Sequence, residues 1–507
     1  MKADTVAGLV EAQAVARPDA PYFIASETGR TLTFGELRES CAGVRNLLAA
    51  RGFEPGAHIS LVMPNGLATL RILLGAMAGG YVVNPVNLLS QPDQMRYVLE
   101  HSDCSLVFAS PDWTAKVRAL VKDIARPIEV VEVDPDAEKL PSESPRTPHR
   151  GDGPGPNPIP PDSLALLMYT SGTTGKPKGV MLSHANLAAN AHIISAEHRL
   201  GPDDRVTAIL PLYHINAFAV TMLAPLAHGG SLMMPPRFSA SGFWDMVTRF
   251  GCTWLNMVPT IVSYLLEGPV PSRASLAKVR FCRSASAPLP PEHLLAFQQK
   301  FGVSVIETMG FTETVAPAFS NPYEPECRKV GSVGLPSGCE AKIVDENGNE
   351  VPDGTSGEIV IRGPQVTSGY YKNEAATASG FFPGGWLRSG DIGLRDSDGF
   401  FFVTGRIKEL IIKGGENIAP REIDEVLLRH PAVLDAAAVG IPDPHYGQEI
   451  MACVIRRNGH DCSTDDLRAF CLEHLGRYKT PKVFRFVEEL PRGPSGKVQR
   501  LKLAELR

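Results

Sequence analysis

No pair of cysteines in this chain of 507 residues stands in C-x-x-C spacing, no run approaches the roughly 18 consecutive apolar residues of a membrane span, and no block of like charge interrupts it. These absences exclude several classes. The nine cysteines are dispersed and odd in number, which suits reduced thiols rather than a disulfide frame or a metal cage. A net charge of -5 with scattered lysines and arginines gives nucleic acid nothing to hold. The start, MKADTVAGLVEAQ, lacks the uninterrupted apolar core of a secretory signal, and the end, LAELR, is no peroxisomal tripeptide. A cytoplasmic protein without a membrane span is expected, as a monomer or homodimer.

What is present is an ordinary globular composition, 43% apolar and 21% charged, in a chain long enough for about two to four domains or subdomains. Helical and strand patterns alternate, which predicts an α/β fold. Thr33 and Glu36 form a capping box ahead of Leu37, Cys41, Val44 and Leu48 at helical spacing. ISLVM (59–63), GLATLRILLGAMA and YVVNPV then read as strand, helix and strand, a βαβ unit. Residues 140–161, dense in Pro, Gly and charge, predict an exposed linker between two N-terminal lobes. After DGFFFVTGRIKELI about a hundred residues carry their own helices and strands, as a small separate domain would.

The strand-like run LALLMY leads into TSGTTGKPKG, a turn whose backbone amides can converge on an anion. A Walker A loop needs Gly where Thr170 stands and Ser or Thr where Pro177 stands, so that reading fails. Proline also lacks an N–H and restricts the residue before it, so the chain cannot run from Lys176 straight into a phosphate-capping helix. Taken alone, such a turn is equally a flexible surface connection.

TSGTTGKPKG nevertheless resembles the phosphate loop of the adenylate-forming enzymes, the superfamily of acyl-CoA synthetases, peptide-synthetase adenylation domains and beetle luciferases. RGPQVTSGYYKN, GGWLRSGDIG, the run from DGFFFVTGRIKELIIKGGENIAPREID and PRGPSGKVQR continue the likeness in family order. It is closest to carboxylate-CoA ligases of the 4-coumarate and oxalate type. The resemblance implies a large N-terminal domain of βαβ-type lobes (1–404), a hinge (405–408) at Lys408, and a small α+β domain (409–507) that rotates about it.

It also implies roles. Thr170, Ser171, Gly172, Thr173, Thr174, Gly175 and Lys178 are expected around the β- and γ-phosphates of ATP, and Glu313 beside Mg2+. Asp391 and Arg406 would hold the ribose; Ser286, Ala287, Met309, Gly310 and Thr312 would border the nucleotide. Met309 stands where the family usually has Tyr, and Ser389 where it has Thr. Lys497 would bridge the substrate carboxylate and the α-phosphate, whose mutual repulsion opposes attack until a cation sits between them. Lys413, Gly414 and Gly415 would meet coenzyme A after the rotation. His214, Asn216, Phe218, Val258, Trp254 and Pro259 fall in segments that line the acyl pocket, though a histidine beside Tyr213 and Ile215 is equally a core residue. The oxalate-type ligases carry a second His at the position of Asn216, and no acidic anchor for an amino group is present.

The implied chemistry is ligation: a small to medium aliphatic or aromatic carboxylate attacks the α-phosphate, pyrophosphate leaves, and the coenzyme A thiol displaces AMP. No side-chain nucleophile is needed, and no Ser-His-Asp or Cys-His arrangement stands out. Loading of a carrier protein instead of CoA, or a non-catalytic nucleotide binder, are the alternatives. Lys497→Ala is expected to slow adenylation by about 100-fold or more while leaving thioester formation from supplied acyl-AMP within about threefold, measured as separate half-reactions. Equal loss of both contradicts the rotating-domain assignment.

Overall fold

The computed structural model describes residues 3–140, 158–170, 176–492 and 498–506. It has the mixed α/β architecture expected, with a large N-terminal part and a smaller C-terminal one. The helix Phe34–Ala50 begins at the anticipated box: Thr33 Oγ1 accepts from Glu36 N (3.2 Å), and Thr33 N donates to Glu36 Oε2 (2.8 Å). Leu37, Cys41, Val44 and Leu48 are all buried on its inner face.

Two largely parallel sheets make the large part. The first runs, in spatial order, Glu129–Glu132, Leu106–Ala109, His58–Val62, Val82–Pro85, Leu164–Thr170 and Lys178–Ser183, with only the last pair antiparallel. The second has nine strands, its parallel centre formed by Val305–Phe311, Phe281–Ser284, Trp254–Met257, Arg205–Thr207, Ser231–Met234 and Pro21–Ala25. Side chains of both sheets belong to one continuous apolar core. The helix Leu67–Ala78 lies within that core, buried on nearly every side, as its apolar all-round sequence requires. The register Val83 to Leu166 pairs strands from either side of the 140–161 stretch, so that stretch joins strands of a single sheet instead of parting two lobes. Its residues 141–157 lie outside those described.

An antiparallel sheet follows, built on Glu340–Val344, Gly357–Arg362, Phe381–Phe382, Trp386–Arg395 and Phe401–Arg406. One turn of 3-10 helix, Ile407–Glu409, then leads into a last sheet: Glu416–Ile418, Ile411–Lys413, Gly447–Arg456 and Val433–Asp443, with Val483–Phe486 parallel to Gly447–Arg456. Its apolar clusters draw only on residues from 411 onward, together with the helices Pro420–Leu428 and Thr464–Lys479. The C-terminal part therefore has a core of its own. No helix among the described residues is long and apolar enough to cross a membrane.

The helices Phe34–Ala50 and Leu67–Ala78 approach so closely that a Cβ on Gly75 would lie 2.6 Å from Val44 Cβ. Gly75→Ala is expected to destabilise the large domain by about 1–3 kcal/mol through overpacking, read as a lower urea midpoint. An unchanged or higher midpoint would mean that the contact is slack.

Candidate active site

Sheet ends and connecting loops converge on a cavity of about 790 Å³. Thr170 and Lys178 stand opposite each other in antiparallel register at the base of the hairpin whose loop holds the phosphate motif. The chain leaves that loop through Pro177 as a strand, not a helix, as the proline demands. The segment 367–371 braces this strand: Thr367 Oγ1 donates to Met181 O (2.6 Å), and Tyr371 N donates to Gly179 O (2.8 Å). Tyr370 is thereby set between two expected site residues. Its hydroxyl donates to Glu313 Oε1 (2.9 Å), while Lys178 Nζ stands 4.8 Å from its ring centroid. Burial, then the Glu313 charge, push the Tyr370 hydroxyl well above its ordinary pKa, so it stays protonated and a donor.

Glu313 sits in the tight turn Thr312–Thr314, followed by Val315 and Ala316 in left-handed conformation. Gly310, Thr312 and Ser286 also line the cavity, and Ser286 is itself left-handed at φ 74°. Strained backbone of this kind, at about 1–3 kcal/mol per residue, persists where surrounding contacts fix it. At Gly310 they leave no room for a side chain, since a Cβ would lie 2.1 Å from Ala316 O. Arg406 lines the cavity and pairs with Asp391 on the adjacent strand, Arg406 Nε 2.8 Å from Asp391 Oδ1, while Asp391 itself is buried and not on the cavity wall. Lys408 lines the cavity from the turn that joins the two C-terminal sheets.

The residues expected around the acid divide between the cavity and the core. His214, Asn216 and Val258 line the cavity, and Asn216 Nδ2 donates to Ser286 Oγ (3.1 Å). Behind them stands Arg283, 1% exposed, whose Nη1 donates to Asn216 Oδ1 and to Asn256 Oδ1, each at 2.8 Å. Burial pulls its pKa down to about 9, which leaves it cationic at neutral pH. Its strand, FCRS, is buried at all four positions, so a charge within an apolar four-residue strand was the available sequence signal.

Other expected residues stand elsewhere. Phe218 and Trp254 are fully buried in the shared core, Trp254 stacked near Phe281 and His198, and neither lines the cavity. Met309 packs in the cluster of the antiparallel sheet, and Ala287 and Pro259 are likewise not on the cavity wall. Lys413 is held inside the C-terminal part, with Nζ 2.6 Å from Glu449 Oε1 and 3.0 Å from Tyr478 O. Gly414 and Gly415 form the two-residue turn between paired Lys413 and Glu416, both with positive φ, as a tight hairpin of that kind needs. Ser171, Gly172, Thr173, Thr174, Gly175 and Lys497 lie outside the described residues.

The description "AMP-binding enzyme" matches residues 10–371, and "AMP-binding enzyme C-terminal domain" matches 422–497. The chain belongs to the AMP-binding enzyme family. Among curated relatives, the sulfoacetate-CoA ligase of Cupriavidus necator is 57% identical over 99% of this chain and 97% of its own. An oxalate-CoA ligase of Arabidopsis thaliana is 35% identical over 100% and 99%. Among solved structures, ATP-bound MatB from Rhodopseudomonas palustris superposes with a TM-score of 0.89 at 30% identity, covering 100% of this chain and 99% of that one.

The residues fit the magnesium ion that accompanies ATP. Such an ion binds through one or two carboxylates together with substrate phosphates. Glu313 offers one carboxylate on the cavity wall, and no cluster of three or more potential ligands among the described residues would hold an ion alone. Tyr370→Phe frees the Glu313 carboxylate from its hydrogen bond. It is expected to lower kcat/KM for pyrophosphate release about tenfold and to raise the Mg2+ concentration for half-maximal rate, with Tm unchanged. Wild-type magnesium dependence in this variant contradicts the assignment.

Proposed function

We propose that this enzyme activates a short carboxylate that carries a second anionic group, sulfoacetate being the example its 57%-identical relative supplies. It is an ATP-dependent carboxylate-CoA ligase. The carrying observation is that Lys178, Glu313, Arg406, His214 and Asn216 border one cavity. Nucleotide and acid share it, so the space left for the acid is modest. The 57%- and 35%-identical relatives are named for sulfoacetate and oxalate, two acids of few atoms with a second acidic group.

The reaction has two displacements. A carboxylate oxygen attacks the α-phosphorus of ATP; the new P–O bond forms as the bond to the β-phosphate bridge breaks, and pyrophosphate leaves. The thiolate of coenzyme A then attacks the acyl carbon, the C–S bond forms, the C–O bond to the phosphate breaks, and AMP departs with the electron pair. The protein's part is positioning and electrostatics. Lys178 and the hydroxyls of the 170–175 loop meet the departing phosphates, and Asp391 and Arg406 hold the ribose hydroxyls, carboxylate as acceptor and guanidinium as donor. What bound magnesium supplies is charge neutralisation at the phosphate oxygens, with Glu313 as its protein ligand. Lys497 joins the carboxylate to the α-phosphate in the first displacement and withdraws for the second. The turn at Lys408 is the hinge for that exchange, and the separate core beyond residue 411 supports motion of the C-terminal part as a body.

Purified enzyme with ATP, Mg2+ and CoA is expected to release pyrophosphate and form a thioester with sulfoacetate at a kcat/KM at least about tenfold above that for acetate or a medium-chain fatty acid, with AMP as the nucleotide product. ADP formation, or a preference for an alkyl monocarboxylate, contradicts the proposal.

A further inference from the structure

The acyl side of the cavity holds a buried cation for which the described residues supply no anion. Arg283 lines the cavity and is almost fully buried, but it forms no salt bridge with any described carboxylate. Its hydrogen bonds go to two neutral amide oxygens, Asn216 Oδ1 and Asn256 Oδ1, both through Nη1. Its Nε is buried without an acceptor. Desolvating an ion costs several kcal/mol even after relaxation, and two amide oxygens compensate only part of that. Elsewhere in the molecule buried arginines find partners of full charge or of backbone. Arg500, mostly buried, pairs with Asp424 and Glu409, and Arg71 donates to Ser40 Oγ and Glu138 O. Arg283 differs from them in being among the residues that line the cavity.

The neighbours of Arg283 hold it in place. Asn256 Nδ2 donates to Asn216 Oδ1 (3.3 Å), and Asn216 Nδ2 donates onward to Ser286 Oγ (3.1 Å), so both asparagines are oriented with their oxygens toward the guanidinium. Its backbone is fixed in parallel register between Asn256 on one strand and Ile306 on the other. A planar guanidinium so clamped holds Nη2 in place at little further entropic cost.

We propose that Arg283, clamped by Asn216 and Asn256, binds the second anionic group of the substrate acid and sets the enzyme's specificity for acids that carry one. This rests on the ligase reading above and names the group within that site that reads the acid. A sulfonate or carboxylate two or three bonds from the reacting carboxyl offers an oxygen to Nη2, the donor left after Nη1 is engaged and Nε is buried. An alkyl monocarboxylate leaves the buried cation without a counter-charge, so the same residue that favours the dianion penalises the simple acid. The amide and guanidinium groups likewise give a long alkyl chain a poor surface.

The test compares sulfoacetate with methylsulfonylacetate, which keeps the sulfonyl group but lacks the charge, using pyrophosphate release by wild type, Arg283→Gln and Arg283→Lys. Wild type is expected to favour sulfoacetate by about 30-fold or more in kcat/KM, the ratio that corresponds to about 2 kcal/mol. Arg283→Gln loses that preference, with KM for sulfoacetate raised and methylsulfonylacetate turned over within about threefold of wild type. Arg283→Lys retains part of the preference. An equal loss for both acids in Arg283→Gln would make the residue structural and overturn the proposal. So would a wild type that does not distinguish them, a comparison that stands even if Arg283→Gln fails to fold. Wild-type turnover of acetate or propionate but not sulfoacetate overturns the role of Arg283 while leaving the ligase intact; no pyrophosphate release with any acid in the panel removes the ligase reading itself.

Discussion

A carboxylate and a triphosphate repel each other, and the cations of this cavity are arranged against that repulsion. The two must meet at bonding distance, and each carries negative charge that water would otherwise screen. The fold answers by bringing cations to one cavity from distant parts of the chain. Lys178 comes from the hairpin that closes the six-stranded sheet, Arg406 from the antiparallel sheet, Lys408 from the turn beyond it, and Arg283 from a central parallel strand of the nine-stranded sheet. Arg406 is matched to Asp391 and Arg388 to Glu358, so pairing holds the basic groups in position before a ligand arrives.

The phosphate hairpin was legible because its logic is local. Pro177 excludes a helix, the apolar run before the loop predicts a strand, and the two together require a turn that reverses the chain, which is how Leu164–Thr170 and Lys178–Ser183 pair. The capping box at Thr33 and the βαβ unit from residue 58 were readable for the same reason: short-range hydrogen bonding and periodicity determine them. The placement of the 140–161 stretch was not legible, since the pairing of Val83 with Leu166 spans it and leaves no trace in its composition.

At the site, motif residues such as Lys178, Glu313 and Arg406 share one cavity, whereas tertiary contacts decide where other named side chains lie. Phe218 and Trp254 belong to segments that reach the cavity, yet their side chains turn into the core, because a large ring gains more from full burial than from a polar wall. Lys413 looks like a ligand-facing lysine in KGGEN, but its partner Glu449 lies 36 residues later on a strand paired with its own, and the pair is internal. Tyr370 and Arg283 went unnoticed for the opposite reason. What makes each of them matter, Glu313 beside one and two asparagines beside the other, is distant in sequence.

The acid is activated as an acyl-adenylate. This is tested most directly by following oxygen from the substrate. With sulfoacetate carrying 18O in its carboxyl group, ATP, Mg2+ and CoA, one 18O atom is expected in the phosphate of AMP for each thioester formed. AMP without label, or label found in inorganic phosphate beside ADP, would contradict it.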